Sequence, residues 1–281
     1  MESDSRQNNV IPVVARVGYA ARGVVYLIIG GLATLAVFGS GGQTAGSRDA
    51  LKSLLGQPFG STLLVIVGLG LFCYSLWRVI QAFFDPDNHG TDGKGLAIRA
   101  SMVISAILHV SLGFFAITLV FTLGGDSSGG SGGGGQENFS AWLLQQPFGV
   151  WLVALIGLAV VGAGVAHGIK GYHAKFERYM RIPESLQPGA QHICRFGLVT
   201  RGVVLVIVGG FFLLAAYQAD PSEAGGLGEV FSTVRSQPFG RILLGIVAIG
   251  LFAFGTYSTL EAAFRRIDGP SANDMRRDAP W

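Results

Sequence analysis

The sequence predicts an all-α polytopic membrane protein: six transmembrane helices, built as three parallel two-helix repeats in a pseudo-threefold bundle. Three observations predict it. Half of the 281 residues are hydrophobic and only 13% are charged, where a soluble domain carries about 25%. Six apolar stretches reach or approach the roughly 20 residues that a spanning helix needs. The string Gln-Pro-Phe-Gly stands three times, from Gln57, Gln146 and Gln237, each time at the front of an apolar run. Helices are the expected spanning element, because hydrocarbon offers no partner to an unpaired backbone group. A β-barrel would show short alternating segments instead.

The elements follow in order. Residues 1–12 read as a polar cytoplasmic tail, without the basic stretch, apolar core and cleavage site of a removable signal, so the first helix is expected to act as an uncleaved insertion signal. Repeat 1, residues 13–88, holds spans at about Val17–Phe38 and Phe59–Phe84. Repeat 2, residues 96–173, holds spans at about Leu96–Leu123 and Phe148–Gly168, joined by a glycine-rich outer linker over 124–136. That linker lacks the Gly-Lys-Ser/Thr ending of a phosphate loop, which argues against nucleotide binding. A basic linker, 174–194, leads to repeat 3, residues 195–267, with spans at about Phe196–Tyr217 and Arg241–Phe264; residues 268–281 form a second cytoplasmic tail. Cys73 falls inside a span and Cys194 just before one, and both are read as free thiols.

An even number of spans puts both termini on one side. Of the 20 Lys and Arg, all but Arg48, Lys52, Arg235 and Arg241 fall on the side of the termini. The positive-inside rule then predicts a multi-pass protein of a bacterial inner membrane with both termini cytoplasmic. The net charge of +3 is accounted for by topology and by attraction to anionic headgroups, so the partners indicated are the bilayer and an anionic lipid, not nucleic acid.

Aligned on the repeated string, Arg16 and Arg22-Gly23 match Arg195 and Arg201-Gly202 with identical spacing, and Gly30, Gly113 and Gly209 coincide. The middle copy keeps Arg99 but has Ser105 where the second arginine would stand. Each unit is read as a hairpin that starts at the cytoplasm and turns outside. The sets Gln57 and Pro58, Gln146 and Pro147, and Gln237 and Pro238 are read as a motif that returns the chain to the membrane, with proline in the first helical turn, glycine allowing the tight turn and phenylalanine anchoring at the boundary. Short segments before the first and third copies look amphipathic and interfacial. These features together resemble the bacterial integral-membrane family of unknown function DUF1206, over Val13 to about Arg266. The resemblance implies a six-helix inner-membrane protein and carries over no catalytic residues and no substrate.

Ionisable side chains inside spans cost about 2.5–3.5 kcal/mol at the bilayer centre, so each is a functional candidate. Two equivalent layers follow the repeated string: Arg78, His167 and Ser258, then Gln81, Lys170 and Glu261. Arg22 and Arg201 enter from facing helices at similar depth. The expected result is a mainly basic ring near the cytoplasmic side, in which Glu261 pairs with Arg22 or Arg201. Such a ring serves helix packing, an anion or lipid-phosphate pocket, or an ion relay. His109 lies about 15 Å beyond Arg99, at mid-membrane, and is expected to make an interhelical hydrogen bond. His167 is too near the edge to share a haem with it, and neither a cofactor nor a metal is called for. The Gly164–Gly168 pair reads as helix packing. With no nucleophile–base pair, HExxH, CxxC or paired carboxylates, the sequence reads as a non-enzymatic membrane scaffold or accessory module with a basic pocket for an anionic lipid headgroup. The alternative is a small-solute or ion transporter that uses the polar ring as part of its path.

Overall fold

The computed structural model describes residues 2–37, 47–55, 58–121, 134–146, 148–224 and 227–267. Gln57, Pro147, most of the glycine-rich linker and the C-terminal tail lie outside them. Nine α-helices occur in order among the described residues: α1 Glu2–Val37, α2 Ser47–Leu55, α3 Gly60–Phe84, α4 Gly93–Phe121, α5 Gly134–Leu144, α6 Gly149–Tyr172, α7 Gln187–Gln218, α8 Leu227–Ser236 and α9 Gly240–Phe264. Six of them, α1, α3, α4, α6, α7 and α9, are long and apolar enough to cross a membrane. Two spans overrun the expected bounds: α1 is helical from Glu2 with Pro12 inside it, and α7 starts at Gln187.

Between apolar helices in lipid, close van der Waals approach replaces the hydrophobic effect, so small residues mark the contacts. Three seams use them at equivalent positions. On α1 and α9, Gly23 and Gly255 face each other's carbonyls. On α7 and α6, Gly202 faces Gly164 and Gly209 faces Gly157. On α4 and α3, Gly113 faces Gly68, and Ser75 donates a hydrogen bond to the Ala106 carbonyl. Each seam is closed by the first arginine of a repeat. Arg16 donates to the carbonyls of Ala262 and Ala263 at 2.7 and 2.6 Å, Arg99 to Ala82 and Phe83 at 2.6 and 3.0 Å, and Arg195 to Tyr172 at 2.7 Å. A guanidinium at a helix C-terminus satisfies orphan carbonyls and complements the macrodipole. The threefold character of the bundle is carried by these between-repeat seams.

Within repeats the symmetry is broken. α1 packs on α3 and α7 on α9, whereas α4 and α6 form no packed pair. The residues explain it. A Cβ on Gly18 would fall 2.4 Å from the Tyr74 backbone, and one on Gly197 would fall 2.4 Å from that of Phe254, so both crossings need glycine. The middle counterpart of these glycines is Ser101, and where Ala21 meets Gly70 in repeat 1, repeat 2 has Ile104 and Ala159; all three are exposed. The six spans therefore run as an arc, α4–α3–α1–α9–α7–α6, open between its ends. α4 and α6 are accordingly the least buried spans, at 17% and 22% of their most apolar window against 39% or more elsewhere.

The repeated string proves to be a turn of defined geometry. Phe59, Phe148 and Phe239 all take the left-handed conformation, with φ of 60°, 62° and 61°, and stand 80% or more exposed. Left-handed φ is strained for a bulky residue, and its recurrence shows that the three copies superpose here. In the third copy proline precedes the helix instead of opening it: the Gly240 amide donates to the Gln237 carbonyl at 2.8 Å, which makes Pro238 the second residue of a β-turn, and the Gly149 amide donates to the Gln146 carbonyl at 2.9 Å in the second copy. Glycine serves close approach: a Cβ on Gly60, Gly149 or Gly240 would sit 2.0–2.3 Å from a carbonyl of the preceding short helix. The Gln146 and Gln237 side chains donate to carbonyls of those helices, Trp142 at 3.2 Å and Thr233 at 3.4 Å.

At that end, α2 and α8 turn Ala50, Leu51, Val230 and Phe231 into a core with Ile29, Leu64, Leu71, Leu244 and Leu251. α5 instead docks on α6 and on the turn after α7. The end where α1 starts and α9 finishes is polar, and there the α6–α7 connection is tied to the end of α9: the Arg181 amide donates to Phe264 and that of Arg266 to Tyr179.

Candidate functional site

The predicted ring residues lie at the end of the bundle where α1 starts and α9 finishes, in two groups. The first group forms one hydrogen-bonded cluster around Arg22, which is 4% exposed. Its Nε donates to Ser258 at 3.2 Å, Nη1 to the Tyr74 hydroxyl and Nη2 to the Glu261 carboxylate. Its guanidinium also stands 4.8 Å from the Tyr74 ring centre and 5.3 Å from that of Phe254. Glu261 accepts from the Tyr257 hydroxyl and from Arg265, each at 2.8 Å. Arg265 in turn holds Asp87 at 2.9 Å, and Asp87 accepts from Gln81 at 2.6 Å. Arg78 donates to the Tyr74 hydroxyl at 2.7 Å and to Gln81 at 3.1 Å. A buried charge is tolerable only when paired and hydrogen-bonded; Arg22 and Glu261 meet both conditions.

The second group is Arg201, His167 and Lys170. Arg201 is the repeat counterpart of Arg22, and His167 and Lys170 on α6 are the counterparts of Ser258 and Glu261. Its guanidinium lies 4.4 Å from the Phe254 ring centre, Nη1 donates to the Tyr26 hydroxyl, and Nε is buried without a partner. Lys170 donates to the Tyr257 hydroxyl at 2.9 Å. Among the described residues neither cation has a carboxylate at ion-pair distance. His167 Nδ1 contacts the Ala163 carbonyl at 2.8 Å. Because a carbonyl only accepts, Nδ1 carries the proton, which leaves Nε2 as an acceptor when the ring is neutral. All three side chains are half-buried, in contrast to Arg22, Ser258 and Glu261.

His109 stacks edge-on against Tyr74 at 4.6 Å, and its Nδ1 contacts the Ser105 carbonyl at 2.7 Å, a bond within its own helix and not between helices. Glu261 takes Arg22 of the two partners the sequence offered. Sequence reasoning missed Arg265 and Asp87, and it gave no role to Tyr257 or Tyr26. Arg265 lies one turn after Glu261, a helical ion-pair spacing that was available. Asp87 carried no signal, since it lies in a connection 178 residues from Arg265.

These features define the class: an α-helical integral membrane protein of three tandem two-helix repeats, with a polar ring at one end. The chain belongs to the family described as Domain of Unknown Function (DUF1206), whose model matches it three times, over residues 17–85, 100–174 and 196–265. A relative named uncharacterized protein YxxB, from Bacillus subtilis (strain 168), is 31% identical over 258 residues, which is 90% of each chain. No solved structure matches.

Proposed function

We propose that this protein is a non-enzymatic module of a bacterial inner membrane, with both termini cytoplasmic, whose polar ring holds an anionic headgroup. One observation carries the reading. Arg22, Arg78, Arg201, Lys170 and Arg265 bring five cations to the ring, against the carboxylates of Glu261 and Asp87. A desolvated excess of cations needs an anion, and a phosphate offers several acceptors to guanidinium and ammonium donors at once. The distribution of Lys and Arg favours the cytoplasmic leaflet, whose surface is anionic. The apolar core opposite the ring, with Leu51 and Phe231 fully buried, supports a binding module over a conduit.

Native mass spectrometry of protein extracted from bacterial membranes tests this. The chain should retain one anionic lipid, and Arg201→Ala should lower its occupancy at least tenfold. Absence of any retained lipid removes the reading. Ion or solute flux in liposomes that changes with Glu261→Gln would establish a conduit in its place.

A further inference from the structure

Building on the proposed anion site, we infer that the ligand is a lipid with a dianionic phosphate monoester headgroup, which reaches Arg201 and Lys170 sideways from the bilayer through the opening between α4 and α6. The inference starts from a substitution inside the repeat. The seam between α1 and α9 neutralises Arg22 with Glu261. The equivalent seam between α7 and α6 places Lys170 where Glu261 would be and His167 where Ser258 would be. A carboxylate has been exchanged for an ammonium beside an otherwise matching arginine. Glu261 and Asp87 are engaged by Arg22 and Arg265, and Lys170 reaches Glu261 only through the Tyr257 hydroxyl, so among the described residues neither Arg201 nor Lys170 has a carboxylate at ion-pair distance. Two positive charges match a phosphate monoester, which carries about −1.5 to −2 at pH 7, better than a singly charged phosphodiester. His167 Nε2 adds an acceptor for the remaining acidic proton of the monoanion.

The route follows from the break in symmetry. In repeats 1 and 3 the first and second helices touch through Gly18 and Gly197, so no path leads between them. In repeat 2 the first and second helices, α4 and α6, form no packed pair. The counterparts Ser101, Ile104 and Ala159 are exposed on α4 and α6, and His167, Lys170 and Arg201 are half-buried, not sealed. Small and aliphatic faces suit acyl chains, with the cations at the headgroup end. The opposite end is closed by the apolar core under α2 and α8, which leaves no matching route across the membrane.

The test uses the full chain in nanodiscs of phosphatidylcholine doped with phosphatidic acid, phosphatidylglycerol or neither, with inorganic phosphate as the soluble arm. The expected result is retention of phosphatidic acid at least tenfold above phosphatidylglycerol. Retention should fall at least tenfold in Lys170→Glu, which rebuilds the closed seam, and in Lys170→Gln, which copies Gln81 of the first repeat. An acyl-chain diazirine on phosphatidic acid should label α4 and α6, including Ile104 and Ala159. Equal retention of phosphatidylglycerol overturns the dianion assignment. Label spread evenly over α1, α3 and α9, or full competition by inorganic phosphate, overturns sideways access while leaving an anion site in place. Absence of binding by every anion sinks this inference and the proposed function together.

Discussion

Two between-repeat seams are built alike and balanced differently. Where α1 meets α9, Arg22 is buried against Glu261, Ser258 and Tyr74. Where α7 meets α6, His167 and Lys170 stand at the positions of Ser258 and Glu261, and Arg201 packs on Phe254 in place of the tyrosine. The glycine contacts and the arginine that caps the partner helix are kept in both. The difference teaches that the scaffold and the charge balance are separable. Small residues set the distance between helices, and the side chain one turn further decides whether an arginine becomes part of the packing or part of a site.

Breaking the balanced seam should have the largest effect. Glu261→Gln leaves Arg22 and Arg265 buried together without their carboxylate, at a cost of about 3–5 kcal/mol. It should show as a steep fall in melting temperature in detergent or as loss of monodisperse protein. Lys170→Gln in the sister seam removes no ion pair at contact distance, only the hydrogen bond to the Tyr257 hydroxyl, and should lower the melting temperature far less. Equal melting of both variants would erase the distinction.

A smaller effect sharpens the structural half of the comparison. Gly18→Ala places a Cβ 2.4 Å from the Tyr74 backbone, and overpacking of this kind costs about 1–3 kcal/mol. Ser101→Ala, at the counterpart in repeat 2, is exposed and should be silent. A silent Gly18→Ala would mean that α1 and α3 do not cross where described.

The smallest effect is local, at the α3–α4 connection. Burial pushes the Asp85 carboxyl up, but the amides of His89 and Gly90 and the His89 ring outweigh it and hold it below the usual range. A depressed folded value means that this stabilisation is present above the unfolded value of about 3.9 and is lost as pH falls through the folded one. Hydrogen exchange at the Gly90 amide should quicken on acidification, and Asp85→Asn should flatten that dependence. An unchanged pH response in the variant would assign it to another group.

Much of the fold was legible in the residues. The spans needed only a count of apolar positions, and the repeats needed only the spacing of Arg16, Arg22 and the string at Gln57 against their later copies. The polar layers were legible too, because offsets from Gln57, Gln146 and Gln237 placed Arg78, Gln81, Lys170 and Glu261 on equivalent turns. The shape of the return motif was not. Left-handed φ at Phe59 follows from a carbonyl of the preceding helix crowding Gly60, which no one-residue preference records. Nor was the staggered packing unit, in which the between-repeat seams are the extensive ones.

By itself the sequence determined the number of crossings, the shared orientation of the three repeats and the level at which charges stand, because transfer from water to lipid is summed along the chain. Only the tertiary structure decided that Glu261 meets Arg22 and not Arg201, and that the middle repeat opens. Those outcomes depend on where helices cross, across 239 residues in the case of Arg22 and Glu261. A crossing is set by the fit of two surfaces, which is a property of neither helix alone.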